Sequence, residues 1–503
     1  MSLFESQRRF LWRFFRAVFS WRTLRRLLLT GVGLVTLIVL FFMEEWWRGQ
    51  RDWEAYKHEQ EVQGVKFDRA AFAPSPVPDD QNFVRTPLLN ALYSRGSYHS
   101  LESEKVDKLV ARLKLDLKSG WLNSLDWPPA RPIDLKTWQA ALHTPDILGA
   151  LQPLSPELDE ITAASRRPYA QFHNSIDYWP WIPFGVLRQL VQLYYVRALA
   201  ELDQGDAVHA AEDIETILRL TNLLKESYST GAIWMSRWAV TGIWAGLAAH
   251  QWSDRQLAAF QTEFQKLDFI ASERRGMEMD RARITELTEK SPDPARFWPT
   301  FYALFGLEQF GVAEHFPVLW PLMEFFGAED YRSEPGFGLP RGWMLQNLVN
   351  YNRGMATALE FFDPARHRID VAKIEQDDKA AKDWRPGPYD FLYKFAAEYR
   401  DSVAHSVARA QTTVDEARVA CALERYRLAN GQFPETLAAL VPQFLDKVPP
   451  DVIGGEPLKY RREGGGQYLL YSVGWNGQDD GGKIVPGGSA PVQGDWVWPY
   501  PIK

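Results

Sequence analysis

Leu27 to Met43 is a run of seventeen consecutive residues without a charge. At about 1.5 Å per residue it lies near the lower limit for crossing a hydrocarbon core of roughly 30 Å. Trp21 before it, and Trp46 and Trp47 after it, extend the span as interfacial anchors. The run has no polar face, so it predicts a transmembrane helix over 27–43 and not a helix buried in a soluble domain. Glu44 to about Glu61 is charged and rich in Trp, and is expected to continue the helix outward. Ala73-Pro74-Ser75-Pro76-Val77-Pro78-Asp79-Asp80 excludes helix and reads as a linker or an extended surface segment. Between Asn82 and Pro156 the pattern is mixed. Glu104 to Leu117 has helical periodicity, and Pro128, Pro129, Pro132 and Pro145 mark irregular turns.

From about Leu158 to Leu267 the apolar positions recur at helical spacing. One helix is predicted over Val186 to Leu202, a turn at Gln204-Gly205-Asp206, and a second helix over Ala207 to Lys225. In that second helix Ala210, Ala211, Ile214, Ile217, Leu218 and Leu220 supply the apolar contacts. A third is predicted over Ile233 to Gln251. Ser253-Asp254-Arg255-Gln256 then reads as a capping box, followed by a helix with Leu257, Phe260, Phe264 and Leu267 on one face. Leu199, Gly205-Asp206, Ala210 and Ile217-Leu218-Arg219-Leu220 together resemble one tetratricopeptide-type hairpin. A single unit does not make an array, and a generic antiparallel pair is the preferred reading. Arg296 to Pro388 is rich in aromatics, Gly and Pro. Within it Glu314 to Leu322 is too short and too proline-broken to span a membrane, and reads as a core loop in preference to a segment dipping into a membrane surface.

The last hundred residues change pattern again. Val403, Val407, Ala410, Val414, Ala417 and Cys421 alternate at four- and three-residue steps, predicting a long helix with one narrow apolar seam. Asn430-Gly431 suits its end, with Tyr426 and Phe433 expected to staple the turn. Leu437, Leu440 and Val441 predict a short second helix. Leu458-Lys459-Tyr460 and Tyr468 to Val473 predict strands joined across Glu463-Gly464-Gly465-Gly466.

Charge sets the orientation expected of the membrane helix. Arg8, Arg9, Arg13, Arg16, Arg22, Arg25 and Arg26 precede it, opposed only by Glu5, whereas Glu44 and Glu45 follow it. The positive-inside rule puts the N-terminus in the cytoplasm and the bulk of the chain outside. Phe42-Met43-Glu44-Glu45-Trp46 offers no small-residue cleavage site, so the helix is expected to remain as an anchor. Leu11, Phe14, Val18 and Trp21 recur at helical spacing with Arg9, Arg13 and Arg16 on another side. That pattern suits either a basic amphipathic helix on an anionic leaflet or a plain topogenic flank. The chain has 503 residues and a net charge of −7, which gives no reason to expect nucleic acid as a partner. Its 21 tryptophans are read chiefly as core packing. The only cysteine, Cys421, falls on a predicted seam and reads as a buried small hydrophobe.

Catalytic signatures are sparse. His-Glu-x-x-His, a Gly-x-Ser-x-Gly elbow and a phosphate-binding Gly-Lys-Ser/Thr loop are all missing. The histidines never cluster at ligand spacing, and Asp377-Asp378 reads as a solvated face. A glycosidase needs only two carboxylates joined by folding, and Trp121, Trp127, Trp138 and Tyr178-Trp179-Pro180-Trp181 would suit sugar stacking. An extracytoplasmic hydrolase or glycan-binding protein therefore stands as the alternative reading.

The order Ala429-Asn430-Gly431-Gln432-Phe433-Pro434, Thr436 to Val441, Val448-Pro449-Pro450-Asp451, Pro457 to Tyr460, Tyr468 to Gly474 and Asn476-Gly477-Gln478-Asp479-Asp480-Gly481-Gly482 resembles the globular head of the major pseudopilin of type II secretion systems. The resemblance covers about 100 residues and implies an α+β head, a helix covering a small antiparallel sheet. It also implies calcium in the loop after the last strand, with Asn476, Asp479, Asp480 and Asp495 as ligands. Calcium takes six to eight hard oxygens. A prepilin leader is missing, because Gly31 and Gly33 lie inside the apolar run and no glutamate follows before Glu44; assembly into a fibre is not expected. The fold class expected is a mainly α extracytoplasmic domain after one transmembrane helix, with a small C-terminal α+β, pseudopilin-like domain. The segments are 1–26 (cytoplasmic, basic), 27–43 (transmembrane), 44–156 (membrane-proximal, mixed), 157–395 (helical) and 396–503 (pseudopilin-like). The function expected is a non-enzymatic, single-pass scaffold or envelope- or secretion-associated component. Its partners would be the cytoplasmic membrane and proteins of the cell envelope.

Overall fold

The computed structural model describes residues 21–73, 75–89, 146–171, 184–226, 229–290, 340–383, 387–483 and 494–498. The basic residues before Trp21, the periodic stretch 104–117, Pro128, Pro129, Pro132 and Pro145, Trp121, Trp127, Trp138, residues 178–181 and residues 314–322 lie outside them. The described residues are mostly helical, with one two-stranded and one three-stranded antiparallel sheet. The chain divides into two compact units. One takes Met1–Phe67, Arg283–Arg353 and Arg385–Lys394; the other takes Asp68–Ala282, Gly354–Trp384 and Phe395–Lys503.

The first unit is organised by α1 (Trp21–Val62), a single helix of 42 residues, roughly 63 Å long at 1.5 Å per residue. The apolar run and the charged stretch after it are one continuous helix, as expected. From Leu24 to Met43 the large apolar side chains are 41% to 66% exposed on every face. Beyond them the helix has a single buried stripe, Glu45, Gly49, Trp53 and Tyr56, at the four- and three-residue spacing of one helical face. This stripe meets helix Arg341–Leu359 backbone to backbone. A Cβ on Gly49 would fall 2.4 Å from the Gly342 carbonyl oxygen, and one on Gly342 would fall 2.2 Å from that of Glu45. Around the crossing, the buried Glu45 carboxylate accepts from Arg48 Nη2 at 2.6 Å and from the Tyr389 hydroxyl at 3.1 Å. Farther along, Trp53 Nε1 and Lys57 Nζ both donate to Glu289 Oε1, at 2.6 and 2.9 Å.

In the second unit, short helices α2 (Ile147–Leu151) and α3 (Ser155–Ala164) precede the layer formed by α4 (Phe184–Asp203), α5 (Ala207–Leu224), α6 (Ser229–Ala248) and α7 (Asp254–Phe264). These four match the predicted helices, with shifted ends. The capping box is formed: Gln256 N–H donates to Ser253 Oγ, and Ser253 N–H donates to Gln256 Oε1. Inside the α4/α5 contact Arg197 grips Asp213 through Nε at 2.7 Å and Nη2 at 2.5 Å. Burial first, and then the Asp213 charge, push the neighbouring Glu201 carboxyl up to about 8. Three further helices follow along the chain, α8 (Phe269–Lys290), α9 (Arg341–Leu359) and α10 (Val371–Asp383), with a small hairpin of β1 (Phe362–Asp363) and β2 (Arg368–Ile369) before α10; the end of α8 from Arg283 and α9 as far as Arg353 belong to the first unit. Sequence periodicity singled out none of these five elements.

Helix α11 (Phe391–Asn430) begins twelve residues before the start predicted at Val403. Residues 410–424 are buried without interruption, so the single narrow seam expected there is corrected to a helix covered all round. Its cover comes from two sides: α7 sends Gln261 Nε2 to the Arg418 and Phe444 carbonyls, and the start of α8 gives Phe269 N–H to Gln411 Oε1. Cys421 is buried, as expected. After α11, Leu437–Leu440 forms a single 3-10 turn, and β3 (Lys459–Glu463), β4 (Gln467–Ser472) and β5 (Trp496–Trp498) form the antiparallel sheet in the order β3-β4-β5. Lys459 pairs with Tyr471 and Glu463 with Gln467, and Leu470 pairs with Trp498. The expected staple is replaced by two contacts: Tyr426 packs on Phe444 and Phe433 on Tyr468, with ring centroids 5.6 and 4.9 Å apart.

The close crossing of α1 and α9 predicts that Gly342→Val loses about 1–3 kcal/mol through forced backbone displacement. Gly276→Ala, on α8 with nothing within 4 Å of the added methyl, should gain about 0.5–1 kcal/mol. Denaturant unfolding of the purified chain measures both; similar effects for the two substitutions would refute the close crossing.

Candidate functional site

The predicted acidic residues sit where the sheet edge turns back on itself. After β4 the backbone turns at Gly474, whose φ is +65° and whose added Cβ would lie 2.2 Å from the Gly494 carbonyl oxygen. Only glycine lets the two ends of the loop close on each other there. Asp495 is buried between them, its Oδ1 accepting the Asp480 N–H at 3.2 Å and its Oδ2 the Gly482 N–H at 2.6 Å. Asp479 Oδ1 accepts the Tyr471 hydroxyl at 2.9 Å and the Gly481 N–H at 3.0 Å. Asn476 Nδ2 donates to Asp480 Oδ2 at 3.0 Å, and Asn476 Oδ1 takes the Gln478 N–H at 3.0 Å. The four predicted residues are thus brought into one hydrogen-bonded loop.

The electrostatics follow from these bonds. The Gly481 amide and the Tyr471 hydroxyl hold the Asp479 carboxyl below the usual carboxylate range. Burial, and then the bond to Asp479, push the Tyr471 hydroxyl up to about 12. The donor set suits a hard cation, with oxygens from three carboxylates and one amide. Amides of the loop occupy both Asp495 oxygens and Asp479 Oδ1, and Asn476 occupies Asp480 Oδ2. Among the described residues no three His, Cys, Asp or Glu side chains converge on one point.

One residue that sequence reasoning left without a role, Asp451, holds this corner together. It is buried, its Oδ1 accepts the Ile453 and Gly454 amides at 2.9 and 3.3 Å, and its Oδ2 accepts the Val473 amide at 2.8 Å. Asp451 ahead of Gly454-Gly455 is a turn signal that was available in the sequence. The sheet edge also faces a half-buried cation: the Arg409 guanidinium lies 5.0 Å over the Trp496 ring, and His405 packs at 4.7 Å on Trp475.

The second functional feature is the uncovered part of α1. It is the one stretch among the described residues long and apolar enough to cross a membrane. Trp46 and Trp47, 51% and 57% exposed, follow it directly, and the Arg51 guanidinium lies 4.9 Å over the Trp47 ring. Compared with family models, with curated proteins and with solved structures, the chain matches none.

Removing the Asp451 carboxylate orphans three amides at a buried corner. Asp451→Ala is therefore expected to cost at least about 2 kcal/mol. Asp480→Ala, which loses one exposed side-chain bond, should cost about 0.5 kcal/mol or less. Chemical denaturation of the two variants measures the difference, and an Asp451→Ala protein as stable as the parent would contradict the assignment.

Proposed function

We propose that this chain is a single-pass membrane anchor that presents its helical layer and a pseudopilin-like C-terminal region outside the cytoplasmic membrane. It would act as a non-enzymatic scaffold for proteins of the cell envelope or of secretion. The observation that carries this reading is the two-part character of α1. Fourteen large apolar side chains between Leu24 and Met43 are left open; moving their exposed surface out of water is worth on the order of 20 kcal/mol, and no protein surface covers it among the described residues. Two residues later the same helix is buried through Glu45, so the anchor enters folded protein without a linker. Trp46 and Trp47 stand at the height expected of an interfacial belt.

The arginine excess before the run and Glu44 and Glu45 after it support the N-in orientation. A reporter active only outside the cytoplasm, fused after Lys503, should be active, and the fusion should stay with the membrane under alkaline carbonate. Activity of a cytoplasmic reporter alone would reverse the orientation; release by carbonate would remove the anchor.

The loop of Asn476, Asp479, Asp480 and Asp495 is proposed as a calcium site, supported by its donor chemistry and by the resemblance of this region to the pseudopilin head. The intact chain should melt at higher temperature in millimolar calcium than in chelator. A hundredfold excess over the dissociation constant corresponds to about 2.7 kcal/mol. Magnesium should do less, because it holds its waters and demands octahedral geometry, and Asp479→Ala with Asp480→Ala should abolish the response. A melting temperature indifferent to calcium would leave the loop as a hydrogen-bonded turn.

A further inference from the structure

Among the described residues two that are not glycine have positive φ, and both are histidines: His250 and His367, each at +53°. His250 closes α6 where a helix usually ends in glycine, with its own N–H on the Leu247 carbonyl and the Gln251 N–H on that of Gly246. His367 ends the turn between β1 and β2, its N–H on the Pro364 carbonyl. Positive φ is uncommon outside glycine, although histidine is among the residues that adopt it, and in both places the ring makes the same kind of contact. His250 Nδ1 lies 2.9 Å from Glu424 Oε1, and His367 Nε2 lies 2.7 Å from Asp415 Oδ2. Both carboxylates belong to the buried stretch of α11.

The two pairs differ in what else neutralises the acid. Arg427 lies on both Glu424 oxygens at 2.7 Å, so Glu424 keeps a permanent cation whether or not His250 is charged. Asp415 has His367 and the neutral amide of Gln411, at 3.4 Å. His367 is therefore the ion-pair partner of a buried carboxylate and the group whose charge changes near neutral pH. We propose that the His367–Asp415 pair is a pH-sensitive latch that fastens the β1–β2 hairpin to α11, tight in mildly acidic surroundings and loosened as they become alkaline.

Burial and Lys447 disfavour the charged imidazole, but the bond to Asp415, its charge and that of Asp268 outweigh them and hold His367 above the ordinary histidine range. A folded-state value above the unfolded one has a definite sign. The contribution is complete below about pH 6.5 and is lost as pH rises through the folded value. The latch has a reach beyond the hairpin. The Ile369 amide donates to the Val452 carbonyl at 2.8 Å, next to Asp451, which holds the Val473 amide at the end of β4. Loosening the hairpin thus bears on the corner from which the acidic loop springs.

Hydrogen exchange of the intact chain in detergent micelles tests this, with rates corrected for intrinsic exchange. Protection of the β1–β2 amides should fall about two- to tenfold between pH 6 and pH 8.5, with a smaller loss at Val473. His250→Gln should keep that fall, and His367→Gln should abolish it. His367→Gly separates latch from turn: it relieves the left-handed backbone, yet should lower hairpin protection at pH 6. Two results overturn the proposal. One is equal protection of the parent chain at pH 6 and pH 8.5, which decides the matter even if the variants fold poorly. The other is a His367→Gly chain better protected than the parent at both values.

Discussion

Burial on all sides of α11 between residues 410 and 424 is the constraint that shapes the second unit. Seven of the residues between 410 and 424 are polar or charged: Gln411, Thr412, Thr413, Asp415, Glu416, Arg418 and Glu424. A charge taken out of water is tolerated only with a partner or by becoming neutral. Partners are brought from distant parts of the chain, so that Phe269 supplies an amide to Gln411, His367 reaches Asp415, Asp446 pairs with Arg418 at 2.5 Å, and His250 joins Arg427 on Glu424. Glu416 takes the other route: complete burial drives its carboxyl well above the ordinary range, Arg409 only partly opposing this, and its Oε1 has no hydrogen-bond partner. Each of these contacts ties a loop or a helix end to one rod. The helical layer and the sheet therefore share one polar-lined core.

The first unit solves a different problem with the same economy of space. Helix α1 must leave a fully apolar stretch and enter packed protein within one turn. Gly49 and Gly342 remove the side chains that would hold two helices apart, and the backbone of Glu45 comes into contact with α9. Burying the Glu45 carboxylate there is sustained by Arg48 and Tyr389, and the Arg48 guanidinium also lies 5.3 Å over the Tyr389 ring. Asn347 and Asn350 then hold the backbone of Pro388 and Tyr389 in place, at 2.7 and 2.9 Å. The tight crossing sets the helix position, and the polar cluster makes that position specific.

The legible parts of this fold are those whose signal is local. The α4 to α7 layer shows amphipathic spacing, a Gln204-Gly205-Asp206 turn and a capping box, each contained within a few consecutive residues. The β3–β4 hairpin shows a short apolar run, Tyr468 to Tyr471, just after three glycines. What stayed hidden depends on distance. Strand β5 is three residues after a long excursion, and β1 and β2 are two residues each, too short for any period to register. Helix α11 looked like a one-sided helix because its second face is polar. Its partners lie 48 residues away for His367–Asp415 and 174 for His250–Glu424. Nothing in a lone histidine marks it as occupying a glycine's backbone conformation. In the acidic loop the cluster was legible from composition, whereas the separate tasks of Asp479, Asp480 and Asp495 were not, since each is set by which amide happens to face it.

That division of tasks bears on how the loop could hold a cation. Three carboxylates in one turn repel one another, and the loop answers this by giving each a hydrogen-bond donor: two backbone amides to Asp495, an amide and a hydroxyl to Asp479, a side-chain amide to Asp480. Charge-assisted bonds of this kind already stabilise the ionised acids. Asp495, buried and bonded to an amide on each oxygen, also fastens the loop to β5. Among the described residues Asp479 Oδ2 and Asp480 Oδ1 accept no hydrogen bond; Asp479 is exposed at the tip and Asp480 is half-buried beside it. A cation would therefore be taken first by these two oxygens, at the tip. The buried fastener would be left intact.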